Sequence, residues 1–226
     1  MSQHTIQLDH VSFAYAGEAV PSLNDVTTAF DKGECVCIEG PNGCGKSTLF
    51  RILLGLSYPT RGTYTLEGET VDAKSMKEEA FAAKLHRKIG FLFQNSEVQL
   101  FTGSVEEEIA FGLEQLGLPE SEVDRRTEEY LRMFDLAAIR HKAPFNISGG
   151  EKKRTALAAV FAMEPEILVM DEPLSGLDED GQAWLTDFIK GLHSKERLIL
   201  IATHNRELSA AVADRVVRMD KNHRVI

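Results

Sequence analysis

Gly40-Pro41-Asn42-Gly43-Cys44-Gly45-Lys46-Ser47-Thr48 fits the phosphate-cradling pattern G-x-x-x-x-G-K-[ST] at every fixed position. Glycines at 40, 43 and 45 let the backbone wrap tightly, so that successive N–H groups point inward at phosphate oxygens that a Cβ would obstruct. Lys46 then meets the β and γ phosphates of a nucleoside triphosphate, and Ser47 offers its hydroxyl to Mg²⁺. The helix that starts at this motif aims the positive end of its dipole at the same anion. A chance glycine-rich turn would lack the context this motif needs, a buried strand before it and a helix after it. Both are legible: Cys35-Val36-Cys37-Ile38 is a short apolar run, and Leu49, Ile52 and Leu53 have helical spacing.

Working outward, 226 residues suit one α/β unit with an inserted subdomain. Hydrophobic residues at 43% and charged residues at 27% exclude a disordered chain, and no apolar run approaches the roughly 18 residues of a membrane span. The N-terminus, Met1-Ser2-Gln3-His4-Thr5, lacks the basic-then-apolar layout of a secretory leader, so a cytoplasmic chain is expected. Its cysteines, Cys35, Cys37 and Cys44, are three in number and too close together to staple a fold, and are expected reduced. A net charge of -10 disfavours non-specific nucleic-acid binding, and the runs Glu106-Glu107-Glu108 and Glu128-Glu129 read as solvated helix faces.

Along the chain, Ile6, Leu8, Val11 and Phe13 read as a half-buried strand, followed by strand-like segments at Val26 to Phe30 and around Tyr64 and Leu66. Apolar residues between Met76 and Leu85 have helical spacing. Lys88 to Phe93 then reads as a strand with Gln94 at its end. Ser104-Val105-Glu106-Glu107 is a capping box opening a helix with Val105, Ile109, Leu113 and Leu116 on one face. Ser121 starts a second helix striped by Val123, Tyr130, Leu131 and Phe134. From Glu151 to Met163 a helix is apolar on most sides, and Ile167 to Met170 and Leu198 to Ile201 are the continuous apolar runs of central parallel strands.

Two further constellations carry chemistry. Asp171 and Glu172 close the strand Ile167 to Met170, so that one carboxylate reaches Mg²⁺ and its neighbour faces water. Ile147-Ser148-Gly149-Gly150-Glu151 places two glycines behind a serine at a helix start, a second anion-binding end distinct from the first. Two such ends suggest two halves of one site. With all of these in order the chain resembles the ATP-binding subunit of an ABC transporter over almost its whole length. Ser148-Gly149-Gly150 is similar to that family's signature, with Ile147 and Glu151 where Leu and Gln are more frequent.

The resemblance implies an α/β fold with a P-loop NTPase core of the RecA-like kind, an N-terminal antiparallel β subdomain and an inserted helical subdomain. Residues 1–94 and 155–226 form the core with the β subdomain, and 95–154 the helical part with the signature. It implies that Tyr15 stacks on adenine and that Gln94 senses γ-phosphate and Mg²⁺ and links the core to the helical subdomain. Asp178, in Ser175-Gly176-Leu177-Asp178, lies on the loop that crosses between subunits. His204 is the switch histidine and Glu172 polarises the attacking water. The nucleotide is then held by Asn42, Gly43, Gly45, Lys46, Ser47, Thr48, Tyr15 and Gln94 of one subunit with Asp171, and by Ser148, Gly149, Gly150 and Asp178 of another. Ser47, Gln94 and Asp171 are the metal-facing groups, and Lys46, Glu172 and His204 the catalytic ones.

A narrower likeness runs through Phe93-Gln94-Asn95-Ser96-Glu97-Val98-Gln99-Leu100-Phe101 and through Ser148-Gly149-Gly150-Glu151-Lys152-Lys153-Arg154. It is similar to the energy-coupling-factor group, which imports cobalt, nickel or vitamins such as biotin. There the ATPase pairs with a second ATPase subunit, identical or paralogous. The pair drives a transmembrane scaffold carrying a small substrate-capturing membrane protein, at the cytoplasmic face of the membrane. Substrate never touches such a chain, so Cys35 and Cys37, on one side of a strand, read as core residues. A nucleic-acid-associated ABC ATPase is the rival reading, but Gln94 and Ser148 lie too close for a long coiled coil between them. Cys44, inside the phosphate loop, predicts that a thiol reagent blocks turnover and that ATP protects.

Overall fold

The computed structural model describes residues 4–226. Met1, Ser2 and Gln3, part of the stretch read above for a leader, lie outside the described residues. In chain order the elements are β1 (Ile6–Phe13), β2 (Leu23–Phe30), β3 (Cys35–Glu39), α1 (Lys46–Leu53), β4 (Arg61–Leu66), β5 (Glu69–Thr70), α2 (Glu79–Lys88) and β6 (Ile89–Leu92). They continue as α3 (Val105–Gln115), α4 (Glu120–Met133), α5 (Gly149–Ala162), β7 (Ile167–Asp171), α6 (Glu179–Gly191), β8 (Leu198–Ala202), α7 (Arg206–Val212) and β9 (Arg215–Arg218).

The expected α/β architecture is present. An antiparallel sheet of order β2-β1-β4-β5 faces a second sheet of order β6-β7-β8-β3-β9, in which every pairing is parallel. The parallel strands alternate their side chains between two cores, as a period of two requires. Val36, Ile38, Val169 and Leu200 face the antiparallel sheet and α1. Cys35, Cys37, Leu168, Met170, Ile199 and Ile201 face α3, α5 and α6. Cys35 and Cys37 are therefore core residues. Each buried Leu, Ile or Val contributes roughly 1.5–3 kcal/mol of transfer free energy, so the sheet's position between two apolar layers is strongly specified.

Four local readings change. Leu8 and Val11 are three residues apart, yet both face the core, because a bulge at His10, with φ 51°, inserts one residue into β1. Met76 to Leu85 is a short 3₁₀ turn, Ser75–Lys77, followed by α2, which keeps Lys88 in the helix and shortens the next strand to Ile89–Leu92. Ser104 Oγ does accept from Glu107 N, but the Glu107 carboxylate turns to Gly103 N, 3.0 Å, so only half of the capping box forms. The second helix starts one residue before Ser121, at Glu120 behind Pro119, without a side-chain cap.

The acidic run of α3 is a solvated face only in part: Glu107 is exposed, whereas Glu106 and Glu108 are engaged. Glu108 is 5% exposed and its Oε2 accepts from Phe101 N, Thr102 N and Thr102 Oγ1 at 3.0, 2.9 and 2.7 Å. Glu106 pairs with Arg140, as does Glu128, whose Oε2 lies 2.9 Å from Arg140 Nη1. Helix α5 runs unbroken across residues 154 and 155, and it packs on α3 as well as on the parallel sheet.

Candidate functional site

Parallel topology puts the carboxyl ends of β7, β8 and β3 side by side, where loops can converge on one ligand. The glycine loop follows β3, Asp171 and Glu172 close β7, and Thr203 and His204 follow β8. A cleft of about 440 Å³ is lined by Asn42, Gly43, Gly45, Lys46, Ser47 and Thr48 together with Gln94, Asp171, Glu172 and His204; Ser22 completes it. Ser22 escaped the sequence reading because it belongs to no motif.

The loop is built for an anion. Gly45, with φ 109°, is the turn into α1, and a Cβ there would lie 2.3 Å from Ser22 O, so no other residue fits. Leu49 N–H bonds to Gly45 O at 2.8 Å, which leaves the preceding N–H groups of α1 outside the helical ladder and facing the cleft. Lys46 Nζ donates to Gly40 O, 2.9 Å, and so lies within the loop. Ser47 Oγ donates to Asp171 Oδ2 at 2.8 Å, an all-oxygen pair of the hardness Mg²⁺ prefers. Burial raises the Asp171 carboxyl above its ordinary value. The Ser47 hydrogen bond opposes this, the Glu172 carboxylate adds to it, and the Lys46 and Lys153 ammoniums also oppose it.

Glu172 holds a left-handed backbone, φ 44°, costing on the order of 1–3 kcal/mol, which places its side chain between two strand ends. Its N–H donates to Ala202 O, 2.9 Å. Its Oε1 lies 2.9 Å from His204 Nδ1, and its Oε2 accepts from the buried Thr203 Oγ1 at 3.3 Å, so the carboxylate is fixed from β8. Thr203 also caps the next turn through Asn205 N, 3.0 Å. Its role was not legible, since a threonine before a histidine carries no signal of its own.

Gln94 is exposed at the end of β6, and its carbonyl accepts from Lys153 Nζ at 3.1 Å. Lys153 is 2% exposed; burial pushes its pKa down to about 8, with the Asp171 carboxylate opposing. The second glutamine of the stretch, Gln99, folds the loop onto itself. It accepts from Phe93 N at 3.2 Å and donates to Phe91 O at 3.4 Å.

Ser148, Gly149, Gly150 and Asp178 do not join this cleft. They line another, of about 590 Å³, with Glu151, Lys153 and Trp184 among its walls. Ser148 caps α5: its Oγ accepts from Glu151 N at 3.3 Å while Glu151 Oε2 accepts from Ser148 N at 2.7 Å, a full capping box. That reciprocal bond accounts for a carboxylate at position 151, and it holds the Glu151 carboxyl below its ordinary value. Ile147 is buried in the core beneath it. Asp178 caps α6 through Gly181 N, 2.9 Å.

Tyr15 stands 37% exposed, its ring edge-on to Phe13 and its hydroxyl 3.4 Å from Thr48 Oγ1. Cys44 reverses an expectation. The thiol is 2% exposed and packs in the core beneath the loop, against the place where a Cβ on Gly40 would sit, so no reagent reaches it in the folded chain.

Comparison with known proteins identifies the family and the fold. Residues 23–175 match the family model described as ABC transporter. The chain is 39% identical over 220 residues to the nickel import ATP-binding protein LarO of Lactiplantibacillus plantarum, covering 97% of this chain and 90% of that one. It is also 39% identical over 211 residues to the energy-coupling factor transporter ATP-binding protein EcfA of Methanothermobacter thermautotrophicus, covering 93% and 66%. The structure of cbiO1 from Clostridium perfringens, part of the ABC transporter complex cbiONQ, superposes with a TM-score of 0.86 at 30% identity, covering 100% of this chain and 88% of that one.

Proposed function

The chain belongs to the ABC transporter family of ATP-binding subunits, and from that membership we propose how its two separate clefts work as one machine. It is an ATP hydrolase that energises a membrane importer of the energy-coupling-factor type. In our reading two such subunits pair head to tail, as a homodimer or with a paralogue. ATP is then held between the glycine loop of one and Ser148, Gly149, Gly150 and Asp178 of the other. The observation that carries this is the division of one chain's anion-binding ends between two clefts that share none of their named walls.

Within each composite site, Lys46 and the amides of the glycine loop bind the phosphates, and Tyr15 stacks on the base. Ser47, Asp171 and Gln94 would hold Mg²⁺, which supplies charge neutralisation at the phosphoryl oxygens. Glu172, fixed by Thr203 and His204, orients and polarises the attacking water, and His204 reaches the γ-phosphate across the same edge. Phe101 and Phe111, exposed rings 4.9 Å apart and edge-on, together with Val98, offer an apolar surface beside the glutamine loop for the membrane scaffold. The subunit thus sits peripherally on the cytoplasmic face. Likeness to a nickel importer's ATPase favours a transition metal, nickel or cobalt, over a vitamin as cargo.

The test is affinity purification of the tagged chain from detergent-solubilised membranes of its host, with mass spectrometry and Mg·ATP hydrolysis on the product. Recovery of a polytopic scaffold with a small substrate-capturing protein, and hydrolysis abolished in Glu172→Gln, are expected. A preparation holding only soluble DNA-processing proteins overturns the transporter reading.

A further inference from the structure

The consecutive lysines Lys152 and Lys153 have been given no role in hydrolysis, although Lys153 is a wall of the cleft that holds Ser148, and both reach the same loop. Lys153 Nζ donates to Gln94 O at 3.1 Å across 59 residues of chain. Lys152 Nζ lies 2.5 Å from Glu97 Oε1, across 55 residues. The first bond comes from a buried lysine to the main chain of an exposed residue and the second lies at the surface, so the loop is held from beneath and from outside at once. Burying an ammonium costs several kcal/mol of lost hydration that one carbonyl acceptor only partly offsets, and an apolar side chain would fill the same space without that cost. A lysine at this position therefore needs a reason beyond packing.

The reason lies in where the two ends of these bonds stand. Gln94 lines the cleft with Lys46 and Glu172, whereas the lysines sit one turn into α5, whose capped start, Ser148, lines the other cleft. We propose that Lys152 and Lys153 are positioning residues that fasten the glutamine loop to the signature helix of the same chain, so that Gln94 at one nucleotide site and Ser148 at the other shift as one body. The inference rests on the head-to-tail pair proposed above. It adds the physical link by which nucleotide at one composite site is felt at the second, a coupling free energy carried by a direct contact.

The experiment is steady-state Mg·ATP hydrolysis by the full chain over a wide ATP range, with equilibrium nucleotide binding and thermal midpoints measured in parallel. The chains compared are wild type, Lys153→Met, Lys153→Gln and Glu97→Gln. For Lys153→Met the expected result is a kcat about tenfold lower and a Hill coefficient falling to 1, within the usual range of site coupling. Nucleotide affinity of the glycine-loop cleft, of which Lys153 is no wall, stays within about twofold, and the thermal midpoint is equal to or above wild type. Lys153→Gln, which keeps a donor, retains more of both kcat and cooperativity. Glu97→Gln, an exposed change with no folding risk, loses about twofold in kcat, as a surface ion pair allows. Wild-type kinetics in Lys153→Met and Glu97→Gln overturn the inference. So does a fall in thermal midpoint in which both Lys153 variants lose activity alike, since that assigns the lysine to packing. A wild-type chain that hydrolyses ATP with no cooperativity at all overturns the composite-site reading on which the inference stands.

Discussion

Replacing Glu108 by alanine tests how the surface beside the glutamine loop is held in shape. Three hydrogen bonds converge on one buried carboxylate oxygen, from Phe101 N, Thr102 N and Thr102 Oγ1. Bonds to a charged acceptor are each worth roughly 1.5–3 kcal/mol, and together they would exceed 4 kcal/mol. Two effects reduce that sum. Phe101 is 67% exposed, so its N–H can turn to water. Deleting a buried charge also removes its desolvation cost. A net loss of about 3 kcal/mol follows, which for a chain of this size lowers the thermal midpoint by about 6–12 °C. The functional signature is more specific than the stability loss. Glu108 lines no part of the cleft holding Lys46, so nucleotide affinity measured by equilibrium binding stays within about twofold. The Phe101 loop loses its anchor, and hydrolysis stimulated by the membrane partners falls. Calorimetry with binding and ATPase assays on the purified complex reads all three. A Glu108→Ala chain as stable as wild type, or one losing nucleotide affinity in proportion to stability, refutes the reasoning.

Four more outcomes are expected. Glu172→Gln keeps ATP binding, slows turnover by at least about 100-fold, the scale of losing a positioned base, and accumulates a closed dimer on gel filtration with ATP; brisk hydrolysis by this variant contradicts the role given to Glu172. Tyr15→Ala raises KM for ATP by about 5–100-fold, the range of one base–aromatic stack, with kcat unchanged; an unaltered KM removes Tyr15 from the site. A thiol reagent titrated against native protein labels none of Cys35, Cys37 and Cys44 on the mixing timescale and all three in denaturant, and rapid stoichiometric labelling of Cys44 would show the thiol facing outward. Burial pushes the Cys35 and Cys37 thiols up to about 12 and about 11. From roughly pH 9 upward the unfolded thiols therefore ionise while the folded ones stay protonated. The native state binds more protons there, and stability falls with pH by up to about 1.4 kcal/mol per unit for each thiol. Urea melts of wild type and a Cys35→Ala, Cys37→Ala double variant should diverge in this window, the variant losing less, and parallel curves would count against burial as the cause.

What was legible in the sequence is what repeats or matches at fixed spacing. The apolar runs of β3, β7 and β8 and the glycine loop each announce themselves within a few residues, and the parallel sheet follows from them. Residues that act through a single long-range bond stayed hidden. Glu108 looked like one more carboxylate in a run, although it stands three residues after Val105, on the face that α3 buries. Thr203 and Lys153 bond across 31 and 59 residues, and no periodicity marks such pairs. The bulge at His10 was legible only as a broken alternation between Leu8 and Val11. Cys44 misled because a loop has no period from which to tell in from out, and the tight turn at Gly45 sends the thiol beneath the loop.

The site residues are held by two kinds of support, and the difference bears on how hydrolysis becomes motion. Glu172, Asp171, Thr203 and the glycine loop sit on the ends of β7, β8 and β3, three neighbouring strands buried on both faces. Displacing any one of them means disturbing a packed core, so their mutual geometry is fixed before ATP arrives, as electrostatic preorganisation requires. Gln94 stands at the end of the edge strand β6, and the stretch that follows it, a single 3₁₀ turn, is tied to the rest of the chain by hydrogen bonds of side chains, with Gln99 folding it onto itself, Lys152 and Lys153 reaching from α5, and Glu108 from α3. A few hydrogen bonds are worth far less than a strand, so on the function proposed above this is the segment expected to move first when γ-phosphate leaves. The exposed Phe101 and Phe111 pair lies on that same segment and its neighbouring helix. Rigid chemistry and mobile output are thus joined at one residue, Gln94. Stiffening the joint on the side of the rigid strands, for instance by a disulfide between the loop and the end of β7, the neighbour of β6, should leave ATP binding intact while uncoupling hydrolysis from transport. Full transport by such a cross-linked protein would place the moving element elsewhere.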